Sequence, residues 1–186
     1  AGMVMSAQPV FDALRSVDAQ DKRILYMSPR GRKLDRDLVT DLAAEENLVI
    51  LCGHYEGIDE RIIDFWKPEE ISIGDYILTG GELAAMVVVD AVARMIPSVL
   101  GNQESHMEES VYSGLIEYPQ YTKPRGYEEM EVPEVLLSGN HKLIHLWKFE
   151  KACEITKERR PDLWEAFVRD LSGLTKDERK IVARLR

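Results

Sequence analysis

Two glycine-punctuated segments in the first half of the chain carry the residues best suited to holding a small polar ligand. They are Cys52-Gly53-His54-Tyr55-Glu56-Gly57-Ile58-Asp59-Glu60-Arg61 and Ser72-Ile73-Gly74-Asp75-Tyr76-Ile77-Leu78-Thr79-Gly80-Gly81-Glu82-Leu83. Each adjoins an apolar, β-branched run and leads into a helix-like stretch. Glycine at such a junction lets the backbone take positive φ or approach a ligand closely. Two loops of this kind on neighbouring strands make a pocket walled by main-chain amides and carbonyls, which is how a protein grips a polar cofactor. The four histidines show no metal-ligand spacing, and no protein-bound metal is expected. Cys52 lies in an apolar run and reads as a small buried hydrophobe rather than a nucleophile.

Elements to position these loops are legible from periodicity. Pro9 to Val17 reads as a helix and Arg23 to Met27 as a short buried strand ended by Ser28-Pro29-Arg30-Gly31. Leu34, Leu38 and Leu42 recur every four residues, the inner stripe of an amphipathic helix. Leu48 to Cys52 is a second buried strand, Ile58, Ile62 and Phe65 mark another helical turn or two, and Ile71 to Leu78 reads as a third strand. A strongly apolar helix from Gly81 to Ile96 must stop at Pro97, which lacks the N–H and clashes with the preceding turn. Continuous apolar strands alternating with helices predict an α/β domain with a parallel sheet covered on both faces.

From Gly101 to Gly126 the chain is polar, with aromatics and prolines but no sustained period. A connection of that length is usually functional or mobile. Helical patterning resumes beyond Asn140. Leu143, Leu146, Trp147 and Ala152 line one helix face, and Pro161 sits at the first position of a second helix. Thr175-Lys176-Asp177-Glu178 is a capping box opening a third. The expected organisation is an α/β domain over 1–102, a flexible linker over 103–124 and a small all-helical domain over 125–186.

Composition bounds the function classes. The 186 residues include 45% hydrophobic and 31% charged side chains, ordinary for a globular protein. The most apolar run, Leu83 to Leu100, is broken by Asp90, Arg94 and Pro97, so no membrane span is expected. Two cysteines and no secretory signal fit a reducing cytoplasm. A net charge of −9 weighs against nucleic acid taken alone, but basic residues cluster at 30–33, 148–151, 159–160 and 176–186. Solvated helix faces account for several of these clusters equally well.

Five motifs in order, LYMSPRGRKL at Leu25–Leu34, LCGHYEGIDERII at Leu51–Ile63, SIGDYILTGGELAAM at Ser72–Met86, RMIPSVLG at Arg94–Gly101 and YPQYTKP with VPEVLLSGNH between Tyr118 and His141, resemble the bacterial tRNA (guanine-N1)-methyltransferases of the SPOUT class. The similarity covers nearly the whole chain. The resemblance implies a parallel sheet ending in a trefoil knot, S-adenosylmethionine held by the knot loops, an obligate homodimer with each active site shared between subunits, a tRNA substrate and a need for Mg²⁺. It also implies a strand and helix ahead of Ala1-Gly2-Met3, so that the chain is expected to be N-terminally truncated.

Carried over by position, the cofactor pocket comprises Tyr26, Met27, Ser28 and Pro29; Gly53, Tyr55, Glu56 and Gly57; and Ile73, Gly74, Asp75, Tyr76, Ile77, Leu78, Gly80 and Gly81. Core packing explains Ile73, Ile77 and Leu78 equally well. The family's catalytic arginine falls on Arg94, which also suits the last turn of a helix as a cation against the dipole. Its catalytic aspartate is replaced here by Glu109, one methylene longer, with Glu104 and Glu108 as neighbouring carboxylates. Ala84 stands where the family usually has proline. The helical domain would hold tRNA phosphates through His141, Lys142, His145, Lys148 and Arg159, with Lys151 and Arg160 nearby. The three-residue spacing of Lys142, His145, Lys148 and Lys151 places them on one face, equally consistent with a solvated stripe.

The implied reaction is transfer of a methyl group from S-adenosylmethionine to N1 of the guanosine on the 3′ side of the anticodon, position 37 of tRNA. Two alternatives stay open: a knotted methyltransferase acting on ribosomal RNA or a ribose 2′-hydroxyl, and a cofactor- or RNA-binding module without catalysis. The long linker ahead of a helical domain favours the tRNA enzyme.

Overall fold

The computed structural model describes residues 2–97, 99 and 113–186. The chain divides into two compact units, Ala1–Gln103 and Glu104–Arg186.

The first unit is α/β. In chain order it runs α1 (Ala7–Ser16), β1 (Arg23–Lys33), α2 (Arg36–Ala43), β2 (Leu48–Leu51), α3 (Glu60–Trp66), β3 (Glu69–Ser72) and α4 (Glu82–Met95). The three strands form a parallel sheet in the order β2-β1-β3. Parallel neighbours need a crossover between them, which α2 and α3 supply. Side chains alternate across a strand, so the central strand feeds two cores. Leu25 and Met27 pack with Leu38 and Leu42 of α2 and Ala84, Val88 and Val92 of α4. Ile24 packs with Val10 and Leu14 of α1 and Ile62 of α3. Ile24 through Met27 are all buried, as a strand covered on both faces requires.

Two boundaries differ from the sequence expectation. β1 does not end at Met27 but continues through Ser28-Pro29-Arg30-Gly31 to Lys33. The register explains how: Met27 and Arg32 are both opposite Ile71, so the residues between them bulge out of the ladder. A bulge tolerates Pro29, which has no N–H to offer the sheet. At Gly31 the strand presses on the backbone of Glu70 and Ile71, and a Cβ there would overlap both. The third strand is shorter than expected, ending at Ser72 rather than Leu78. Gly74 adopts φ +154° and donates its N–H to Ser72 Oγ at 3.2 Å, turning the chain out of the sheet. Residues 73–80 are therefore loop, and Ile77 is 80% exposed.

In the second unit a two-residue-per-strand hairpin, β4 (Gly126–Tyr127) and β5 (Met130–Glu131), precedes four helices, α5 (Glu134–Leu137), α6 (His141–Arg159), α7 (Pro161–Phe167) and α8 (Lys176–Leu185). Pro161 occupies the start of α7, where its missing N–H costs nothing. The core gathers Ala152 and Cys153 of α6, Trp164 of α7 and Val182 of α8, together with Leu115. Leu115 lies inside the stretch expected as linker. Its neighbour Ile116 donates its N–H to the buried Thr156 Oγ1 at 2.7 Å, anchoring that segment to α6. The capping box of α8 is formed: Thr175 Oγ1 accepts from Glu178 N at 3.3 Å and Glu178 Oε2 accepts from Thr175 N at 2.7 Å.

Replacing Gly31 by alanine is expected to destabilise the first unit by about 1–3 kcal/mol, the usual cost of forcing an atom into packed backbone. Gly173→Ala, with open space around the glycine, should stay within about 0.5 kcal/mol. Urea unfolding of the two variants checks the contrast. A pH dependence follows from Glu178. Burial alone would push its carboxyl up, but hydrogen bonds from Thr175 and from His145, at 2.9 Å, outweigh it and the net direction is down. A carboxyl lowered on folding stabilises above its unfolded value, about 4.3, and loses that contribution as the pH falls through the folded value. The unfolding midpoint of the second unit should drop across that acid range, and less so in Glu178→Gln.

Candidate cofactor cleft

The three strands are parallel, so the loops leaving the C-terminal ends of β2 and β3 emerge at one edge of the sheet, beside the bulge of β1. That edge is where open parallel sheets bind ligands. A cleft of about 570 Å³ opens there, within the range of small-molecule sites. Its walls are the bulge of β1 (Tyr26, Met27, Ser28, Pro29), the loop after β2 (Gly53, Tyr55, Glu56, Gly57) and the loop after β3 (Ile73, Gly74, Tyr76, Ile77, Leu78, Gly80, Gly81). Of the expected pocket residues only Asp75 does not line it; its carboxylate is turned toward Lys33 at 3.5 Å. Arg30, His54, Ile58, Glu60, Ile71, Ser72, Thr79 and Ala84 complete the lining. His54 lies within the Leu51–Ile63 motif, between Gly53 and Tyr55 of the same wall, and that position is the sequence signal for it.

Close backbone contact holds the walls together. Gly81 N donates to Gly53 O at 2.9 Å, tying the loop after β3 to the loop after β2. A Cβ on Gly81 would stand 2.9 Å from Cys52 Cα, and one on Gly53 would stand 3.0 Å from the Tyr26 ring. Side chains at either position would enter space that the fold has closed. Gly57 takes φ +129° and Tyr55 takes φ +60°, which turns the 65%-exposed Tyr55 ring outward along the cleft. A non-glycine residue held at positive φ beside a pocket is a strained position of the kind found at ligand clamps.

Charge is mixed around the rim. Arg30 pairs with Glu70 at 3.2 Å and with Glu60 at 3.9 Å. Burial, then the nearby Glu70 carboxylate, raises the Tyr26 phenol above its usual value. Glu82 begins α4, where its own amide N–H and then the His54 ring lower its carboxyl. Burial and then Glu82 raise the Cys52 thiol, consistent with an inert cysteine. Asp59, at the start of α3, is held at about 2 by Arg61.

Glu109, with Glu104 and Glu108, is outside the described residues. Arg94 is half-buried in the last turn of α4, ten residues beyond Ala84 and so about 15 Å along the helix axis from the cleft lining. The apolar helix splits in two: Ala84, Val88 and Val92 are buried in the sheet core, while Leu83, Met86, Val87 and Val89 remain exposed. Packing within the unit explains the first stripe only. On α6, Lys142 pairs with Asp177 at 3.0 Å, His145 with Glu178, and Lys151 with Glu154 at 2.6 Å. Lys148 Nζ lies 4.5 Å from the Tyr118 ring centroid. His141 and Arg159 are exposed. Among the described residues no group of three or more His, Cys, Asp or Glu side chains is placed to hold a metal ion, and no helix is long and apolar enough to cross a membrane.

The sequence matches the family model described as tRNA (Guanine-1)-methyltransferase TrmD over residues 1–166. Three relatives illustrate the similarity. A tRNA (guanine-N(1)-)-methyltransferase from Clostridium acetobutylicum is 49% identical over 98% of this chain and 73% of its own length. One from Clostridium tetani is 48% identical over 98% and 74%. One from Alkaliphilus metalliredigens is 50% identical over 100% and 75%. With the family model matching most of its length and relatives of this identity spanning nearly all of it, the chain belongs to the tRNA (guanine-1)-methyltransferase family.

Proposed function

We propose that the protein transfers a methyl group from S-adenosylmethionine to N1 of the guanosine at position 37 of tRNA. The observation that supports this reading is the cleft itself, walled by the bulge of β1 and the loops after β2 and β3, in a chain of the tRNA (guanine-1)-methyltransferase family. The cleft suits the cofactor on three counts. Its volume takes an adenosine, its glycine walls bring main-chain donors and acceptors to the surface where a Cβ would block them, and Met27, Ile71 and Leu78 give an apolar slot. S-adenosylmethionine supplies an electrophilic methyl on a cationic sulfur. The carboxylates of Glu56 and Glu60 in the lining favour a cation there.

The chemistry asked of the remaining residues follows from guanine. N1 carries a proton at neutral pH and attacks poorly until it leaves. A general base near N1 and a cation near O6, where negative charge gathers, lower that barrier. Glu109 is the proposed base and Arg94 the proposed cation. Holding donor and acceptor in line contributes up to roughly 7–11 kcal/mol more. A requirement for Mg²⁺ belongs to the same reading.

Arg94 also bears on assembly. An arginine about 15 Å down the helix from its own cleft serves a neighbouring copy's cleft more readily. The exposed stripe Leu83, Met86, Val87 and Val89 on the same helix offers the apolar contact that such a pairing needs. A homodimer with shared sites is therefore part of the proposal, as are the trefoil knot in the loops, a helical tRNA-holding unit with His141, Lys142, His145, Lys148 and Arg159, and a cytoplasmic location. For Lys142, His145 and Lys148, RNA phosphate has to compete with the partners these groups already have.

Methyl incorporation into unmodified tRNA tests the whole reading. The native chain should label tRNA with G at position 37 and leave a G-to-A substrate unlabelled; equal labelling of both contradicts it. Glu109→Gln should lose about 10²–10⁴ in turnover as a missing general base, and Arg94→Ala about 10²–10³ as a missing charge stabiliser. A chain that sediments as a monomer with full turnover would contradict the shared site.

A further inference from the structure

The cations of α6 are largely spent within the second unit: Lys142 pairs with Asp177 at 3.0 Å, His145 with Glu178 at 2.9 Å and Lys151 with Glu154 at 2.6 Å. On α8 the balance is different. Glu178 and Val182 are its buried residues. Lys176, Arg179, Lys180 and Ala183 follow the i, i+3, i+4, i+7 spacing that sets side chains on one helix face, and all four are exposed. With Leu174 they line a groove of about 440 Å³ whose lining includes no carboxylate. Among the described residues Lys176 has no ion-pair partner, and Arg179 donates to the Ser172 carbonyl at 3.0 Å rather than to an acid. Lys180 meets Asp177 at 3.3 Å, a carboxylate that it shares with Lys142. Three cations thus line one concave surface with a single, shared counter-charge.

Resting on the tRNA reading above, we propose that this groove is a phosphate-backbone site for tRNA, held by Lys176, Arg179 and Lys180. Arg179 brings a planar fork suited to phosphate oxygens, and the two lysines bring compact point charges. Phosphate arriving here releases counterions and water, and for Lys176 and Arg179 it displaces no carboxylate. On α6 the same contact requires an ion pair to break first. Residues 176–186 hold five Lys and Arg against two acids in a chain of net charge −9, so this helix favours an anion that the chain as a whole repels. A lipid surface fits less well. Among the described residues no large apolar side chain of α8 or of the turn before it is exposed, and a helix lying in a membrane interface needs an apolar face. Phosphate contacts set position and affinity without reading bases, so in this scheme the choice of guanosine is left to the cleft.

Fluorescence anisotropy with unmodified tRNA, on the intact chain over a series of KCl concentrations, reads the groove directly. Lys176→Gln, Arg179→Gln and Lys180→Gln combined should weaken binding roughly ten- to hundred-fold near 0.1 M salt and reduce the salt slope by about 2. The charge-keeping set Lys176→Arg, Arg179→Lys and Lys180→Arg should bind within about three-fold of the native chain, with its slope. In turnover, the glutamine set should raise KM for tRNA, leave kcat at saturating tRNA near its native value and leave the calorimetric affinity for S-adenosylmethionine unchanged. General damage to the fold does not produce that split, and unfolding midpoints of both sets check for it. A glutamine set with native affinity and slope overturns the groove while leaving the tRNA reading intact, as does a loss that the charge-keeping set shares. Loss of binding to phosphatidylserine vesicles or to a polyglutamate peptide, with tRNA affinity unmoved, also overturns it and gives the groove to that partner. Failure of the native chain to bind or methylate tRNA removes both readings.

Discussion

The main-chain approach of Gly81 to Cys52 and Gly53 is the constraint on which the first unit's function rests. It brings the loop after an edge strand, β3, to the end of the opposite edge strand, β2, beside Tyr26 of the central strand β1. No side chain fits at the crossing, since Gly81's Cβ would stand 2.9 Å from Cys52 Cα. Because the connection is a backbone hydrogen bond between glycines, the walls it fixes expose donors and acceptors rather than side chains. The same crossing sets where α4 begins, and α4 in turn carries Val88 and Val92 into the sheet core and Arg94 to its far end. Cleft, core and the apolar outer stripe are thus consequences of one packing decision.

Much of this was legible in the chain because its signals are short-range. Apolar runs at 23–27 and 48–52 gave the buried strands, the four-residue spacing of Leu34, Leu38 and Leu42 gave the amphipathic helix, and Thr175 with Glu178 gave a capping box that forms as expected. Expectation and structure part where long-range contact overrides local pattern. Ser28-Pro29-Arg30-Gly31 looks like a strand terminator, yet pairing with Ile71 on both sides of a bulge carries β1 on to Lys33. Ile73, Ile77 and Leu78 look like strand residues, yet Gly74 at φ +154° ends the ladder before them.

For the site, the glycines and the motif order pointed to the loops now found around one cleft. His54, between Gly53 and Tyr55 of the cleft wall, bears no local mark of its partner, because Glu82 lies 28 residues away in sequence. Pairing of that kind leaves no periodic trace. The basic face of α6 shows the opposite limit. Its spacing was visible, but the acidic partners Asp177 and Glu178 come from α8, so sequence could not show how the charge is spent.

Amide hydrogen exchange on the native chain, with and without S-adenosylmethionine, tests the central claim most directly. The account predicts that ligand slows exchange in three separate segments together, around residues 26–31, 53–57 and 73–81. Protection confined to one of these, or concentrated outside them, would contradict a donor seated between the β1 bulge and the loops after β2 and β3.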